Sequence, residues 1–197
     1  MHPDDVREYV EKSVGELKRM IDERPELAVT AIELTGTDLF ITVGLTQHAP
    51  VAVDRNVGAA IGVVKTILVP AGPGQYVERP VGRPVVAVPE VGETIDRELV
   101  LYLHCGDFDG KPPLAELLRP DRTPLPANEW PKDPELQGIV PNHPIYKRNF
   151  FCRPGFREFH EHEQHEDEPW DKYREQSSLG RIVVSLLHEL KYRWTLQ

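Results

Sequence analysis

Cysteine is scarce in this chain, with only Cys105 and Cys152 among 197 residues. Two cysteines cannot staple a domain of this size, so free thiols in a reducing compartment are the simpler reading and a cytoplasmic location is expected. No apolar run approaches bilayer-spanning length. The opening Met1-His2-Pro3-Asp4-Asp5 lacks the basic start and apolar stretch of a signal peptide. No membrane partner is expected. Basic residues are also few, 23 Lys and Arg against 32 Asp and Glu, for a formal net charge of -9. A grip on a phosphate backbone needs a concentrated basic surface, so no nucleic-acid partner is expected either. Hydrophobic residues make up 40%, enough for a real core, and the length suits one domain over residues 1–197. Two residue types are abundant instead, 19 prolines and 8 histidines. The prolines concentrate between Gly106 and Pro144, and the histidines gather just beyond them.

Residues 4 to about 24 read as an amphipathic helix. Val6, Tyr9, Val10, Val14, Leu17, Met20 and Ile21 recur at steps of three and four, and Pro25 stops the run. Beyond Pro25 the period shortens. Residues 27–34 and 39–45, rich in β-branched types and separated by Thr35-Gly36-Thr37-Asp38, predict a hairpin. Residues 57–70 fit either a strand pair around Gly62 or a short buried helix, and residues 85–88 and 99–104 read as further strands. The order predicts an α+β domain: an N-terminal helix, then an antiparallel β-meander. Between Gly106 and Phe151 periodicity is lost, and nine of the 19 prolines fall there. Proline withholds a backbone donor and fixes φ, which excludes an interior strand or long helix. Leu114, Leu117, Leu118, Trp130, Ile139 and Tyr146 in that stretch predict an extended wrap held by apolar anchors. A C-terminal helix is expected over residues 178 to about 194, with Leu179, Ile182, Val183, Leu186, Leu187 and Leu190 as its apolar face.

Chemistry-bearing residues gather between Asn142 and Trp170. His143, Cys152, His160, His162 and His165 lie there, four of the eight histidines and one of the two cysteines. One thiolate and three imidazoles are the number and type that tetrahedral zinc takes, so Cys152, His160, His162 and His165 are a candidate metal set. His160 and His162 share a face in a strand, and His162 and His165 share one in a helix, so convergence requires a change of conformation near His162. The competing reading is a solvated acidic loop, since Glu158, Glu161, Glu163, Glu166, Asp167 and Glu168 are interleaved with the histidines. Cys152 is also a candidate nucleophile, with Arg153 and protonated histidines favouring its thiolate. Cys105, at the end of a predicted strand, fits a buried and inert thiol.

The order of features is informative beyond any single motif. A helix, a strand meander, Pro112-Pro113, His143-Pro144, Cys152, Trp170 and a closing Leu/Ile/Val helix succeed one another. This order resembles the ubiquitin-conjugating enzyme superfamily, in particular a divergent bacterial branch with a His-x-His-x-x-His segment after the cysteine. The resemblance covers most of the chain and implies the fold of that family. It also implies that Cys152 accepts a ubiquitin-like protein as a thioester and passes it to an amine, with that protein and its activating enzyme as partners. No cofactor is required for such transthiolation. His143 and Pro144 match the first two residues of the family's His-Pro-Asn motif, in which the histidine shapes the loop, and Trp170 matches a tryptophan after the cysteine. Ile145 stands where the family has asparagine, so the amide that steadies the oxyanion is missing there, with Asn142 or Asn149 as substitutes.

Three functions are compatible with these residues. The first is an enzyme with Cys152 as acceptor and His160, His162 or His165 assisting. The second is a catalytically inactive zinc module of the same fold using Cys152, His160, His162 and His165. The third is an adaptor with neither chemistry.

Overall fold

A computed structural model of the chain describes residues 2–48, 66–72, 75–80, 94–132 and 138–192. The chain forms two compact units, Pro50–Glu93 and, flanking it in sequence, Met1–Ala49 with Thr94–Gln197. The larger unit opens with helix α1 (Pro3–Asp22), launched by a capping box in which the His2 ring accepts from the Asp4 N–H and Asp5 reaches back to the His2 N–H. Pro25 then begins a single 3-10 turn, Pro25–Leu27, as its lack of an N–H dictates.

Strands β1 (Val29–Thr35) and β2 (Asp38–His48) form the expected hairpin. The small unit contributes a separate antiparallel pair, β3 (Thr66–Gly72) with β4 (Gln75–Pro80). Of the ambiguous stretch 57–70, residues 66–70 therefore lie in a strand, and 57–65 lie outside the described residues, as does the strand expected at 85–88. The chain returns to the larger unit as β5 (Thr94–His104), which pairs directly with β2 along its whole length. Strand β6 (Leu114–Leu118) completes a four-stranded antiparallel sheet in the order β1-β2-β5-β6.

Alternation explains why this sheet has one buried face. Register places Leu39, Ile41 and Val43 opposite Leu103, Leu101 and Leu99, with Ala115 and Leu117 continuing the layer on β6. All are nearly inaccessible. They form one core with Val6, Val10, Val14, Leu17 and Ile21 of α1 and with the apolar stripe of α3 (Leu179–Tyr192). The α+β architecture read from the sequence is the observed one.

The proline-rich stretch departs from expectation at β6, which is a strand rather than part of an irregular wrap. It fits because it is short and lies at the edge of the sheet, between Pro113 and Pro120. Its outer side is closed without another strand. The Ala115 N–H donates to Glu158 Oε1 at 3.1 Å, Arg148 Nη1 donates to the Ala115 carbonyl at 2.9 Å, and the Leu125 N–H donates to the Leu117 carbonyl at 2.9 Å. A two-residue pair, β7 (Ile139–Val140) with β8 (Phe150–Phe151), comes next, then the short helix α2 (Arg157–His160).

Candidate functional site

Cys152 is the first residue after β8, and its backbone N–H donates to the Gly138 carbonyl at 2.9 Å. The two phenylalanines before it are fully buried, and Trp130 packs on Phe151 with ring centroids 5.2 Å apart. The nucleophile candidate therefore directly follows a buried two-residue strand. Behind it the chain turns at Gly155, whose φ of +103° disfavours any side chain, and whose missing Cβ leaves room for Ile182 of α3. Helix α2 begins directly after this turn. His162 then ends the descent by accepting the Gln164 N–H on Nδ1, capping the 3-10 turn Glu163–His165. That turn carries His165 back towards Cys152.

The result is a line of groups suited to proton transfer. Cys152 Sγ lies 3.5 Å from His165 Nε2, within hydrogen-bond reach for sulfur. On the other side of the ring, His165 Nδ1 is 3.2 Å from Glu168 Oε1. The Tyr173 hydroxyl donates to the second oxygen of the same carboxylate. Phe159 stacks on the His165 ring at 3.8 Å and 24°, fixing its plane. The Tyr173 hydroxyl and then His165 hold the Glu168 carboxyl below its ordinary range, so it is ionised and can orient the imidazole. Burial pushes the Cys152 thiol up, and the Glu168 charge adds to this. Arg153 does not offset the rise, because its guanidinium reaches Ser185 Oγ at 3.0 Å and Glu189 at 2.7 Å. Burial and the Glu168 charge thus work against the thiolate that Arg153 and the histidines are expected to favour, and the His165 ring stands beside the thiol.

The other histidines serve different ends. His143 is fully buried and folds its own loop, accepting the Ile145 and Tyr146 N–H groups on Nδ1 at 3.1 and 3.3 Å. Its Nε2–H donates to the Glu158 carbonyl at 2.9 Å. His160 spends both ring nitrogens on backbone, Nε2 accepting from the Gly155 N–H at 3.2 Å and Nδ1 meeting the Glu168 carbonyl at 2.7 Å. It therefore cannot be the base that meets the thiol. The His162 ring stacks on Phe150 and meets the edge of His143. Trp170 is buried and donates to the Asp109 carbonyl at 2.9 Å. Asn149 donates to the Ala127 carbonyl at 3.0 Å, while Asn142 is exposed with φ +57°. Cys105 is inaccessible, and burial raises its thiol to about 12, as befits an inert core residue.

The zinc set of Cys152, His160, His162 and His165 does not fit this arrangement. Cys152 and His165 meet, but both ring nitrogens of His160 and the Nδ1 of His162 are taken by backbone partners. Among the described residues no group of three or more His, Cys, Asp or Glu is placed to hold a metal ion. Sequence reasoning does not single out Glu168 or Tyr173. The signal available is the step of three from His165 to Glu168, which His160 and Glu163 share.

No protein-family profile matches the chain, and no curated protein matches it significantly. Fold and site define an α+β protein with a cysteine, histidine and glutamate in line.

Proposed function

We propose that the protein is an acyl-transfer enzyme that carries its acyl group as a thioester on Cys152. The observation that carries this is the Cys152–His165–Glu168 line, with Sγ 3.5 Å from Nε2 and Nδ1 3.2 Å from the carboxylate. This is a nucleophile, a base and an orienting group in the order covalent catalysis requires. In the loading step His165 Nε2 takes the thiol proton as Sγ attacks the carbonyl carbon of an incoming thioester. The new C–S bond forms to Cys152, the old C–S bond breaks, and His165 returns the proton to the departing thiolate. In the discharge step an amine nitrogen attacks the Cys152 thioester, His165 takes the amine proton, and Cys152 leaves as thiolate. A sulfur leaving group makes this aminolysis feasible without a metal.

The resemblance to ubiquitin-conjugating enzymes supplies the acyl group: the C-terminus of a ubiquitin-like protein, delivered by its activating enzyme. The loop-shaping contacts of His143 support that reading, because the family's motif histidine has that role.

The test is mass spectrometry of the chain after incubation with a peptide C-terminal thioester and then with a primary amine. The expected result is an adduct on Cys152 that hydroxylamine reverses, that the amine discharges, and that Cys152→Ala abolishes. Absence of acylation at Cys152 would overturn the proposal. So would stoichiometric zinc in the purified protein that Cys152→Ser releases, since a metal-bound thiolate is barred from this chemistry.

A further inference from the structure

We infer that His160 is a positioning residue for the Cys152–His165–Glu168 line: its ring ties the turn after Cys152 to the backbone of Glu168. The inference rests on reading that line as an acyl-transfer site. The Gly155 N–H donates to His160 Nε2 at 3.2 Å, so that nitrogen carries a lone pair and no proton. The ring proton must then sit on Nδ1, where it donates to the Glu168 carbonyl at 2.7 Å. His143 has the opposite tautomer, because two backbone N–H groups point at its Nδ1. His160 is thus held as a neutral ring bridging two backbone points, and burial favours that neutral form.

Those two points decide the site's geometry. Gly155 belongs to the turn that directly follows Cys152, and Glu168 is the residue that orients His165. Between them the chain runs through α2 and a 3-10 turn with few long-range backbone bonds of its own. Trp170 and Tyr173 pack against the His160 ring at 5.5 and 5.2 Å between centroids, and Phe159 meets it edge-on at 5.1 Å. The ring is therefore held in place from several sides while it spans the gap. A glutamine side chain offers the same pair of functions, an oxygen to accept from Gly155 and an N–H to donate to Glu168.

The experiment measures the iodoacetamide alkylation rate at Cys152, read by peptide mapping, in the full chain and in His165→Ala, His160→Ala and His160→Gln. The expected result is a loss of about tenfold or more for His160→Ala, the scale at which misplaced reacting groups lose rate. His160→Gln should recover most of that loss. If His165→Ala leaves the rate unchanged, the acyl-transfer site itself is wrong. If His165→Ala slows alkylation but His160→Ala does not, or His160→Gln folds without recovery, the positioning role alone is overturned. Should His160→Ala fail to fold, nitrogen-15 spectra of the unmodified protein decide: a proton on Nδ1 of His160 supports the inference, and one on Nε2 overturns it.

Discussion

A single thiol and its immediate neighbours fix the reactivity expected of this protein. Burial and the Glu168 charge both disfavour the Cys152 thiolate, so the alkylation rate should rise with pH through an inflection above the ordinary thiol value. Glu168→Gln removes the negative charge and should move that inflection down, and an unmoved inflection would show that Glu168 does not act on the thiol. His165→Ala should slow alkylation most below the inflection, where the proton needs a base, and least above it, where hydroxide has already removed it. An equal loss at all pH values would deny His165 the role of base. Cys152 is legible in the sequence because cysteine is scarce, and the histidines beside it because they cluster. The sequence could not single out Glu168 from Glu158, Glu161, Glu163, Glu166 and Asp167. The 3-10 turn capped by His162 selects which acid faces His165, a local backbone choice that the spacing of the acids does not reveal.

Among the elements, the turn between β8 and α2 is the one whose geometry the site depends on most. An alanine Cβ at Gly155 would lie 2.9 Å from Ile182 Cγ1 and 3.2 Å from two further atoms of the same side chain, on a backbone of φ +103°. Overpacking and backbone strain together should make Gly155→Ala cost about 2 to 3 kcal/mol in urea unfolding. Because all three close atoms belong to Ile182, the cost should be smaller in an Ile182→Ala background, and strictly additive effects would place the strain elsewhere. Helices α1 and α3 were legible because apolar residues recur along one face, and β1 and β2 because two short β-branched runs flank a turn, while of β5 only residues 99–104 were expected. Strand β6 was not, since Pro113 and Pro120 leave it only 5 residues and its outer edge is closed by distant side chains, Arg148 and Glu158. The direct β2 and β5 pairing was equally hidden, because the segment separating them in sequence forms a unit of its own.

For the molecule as a whole, acidity matters through one buried carboxylate as much as through the net charge of -9. Glu158 is fully inaccessible and connects three parts of the larger unit: α2, which carries it, β6 through the Ala115 N–H, and the segment before β8 through Arg148 at 2.7 Å. Among the described residues its second oxygen has no hydrogen-bond partner. Burial outweighs Arg148, so its carboxyl lies above the ordinary range in the folded chain. A folded value above the unfolded one means that the stability linked to this proton is fully present below the unfolded value and lost as pH rises through the folded one. His143 works in the other direction. Burial holds it below the ordinary imidazole value, so its contribution is present above that value and is lost as pH falls through the folded one. The two groups narrow the range of greatest stability from opposite sides. Glu158→Gln keeps an oxygen for Ala115 and Arg148 but cannot ionise. Its stability relative to the parent chain, measured by urea unfolding at each pH, should therefore improve as pH is raised above the ordinary carboxyl range. A difference that stays constant over that rise would mean Glu158 does not titrate within it, and the buried carboxylate would then have no part in the pH response.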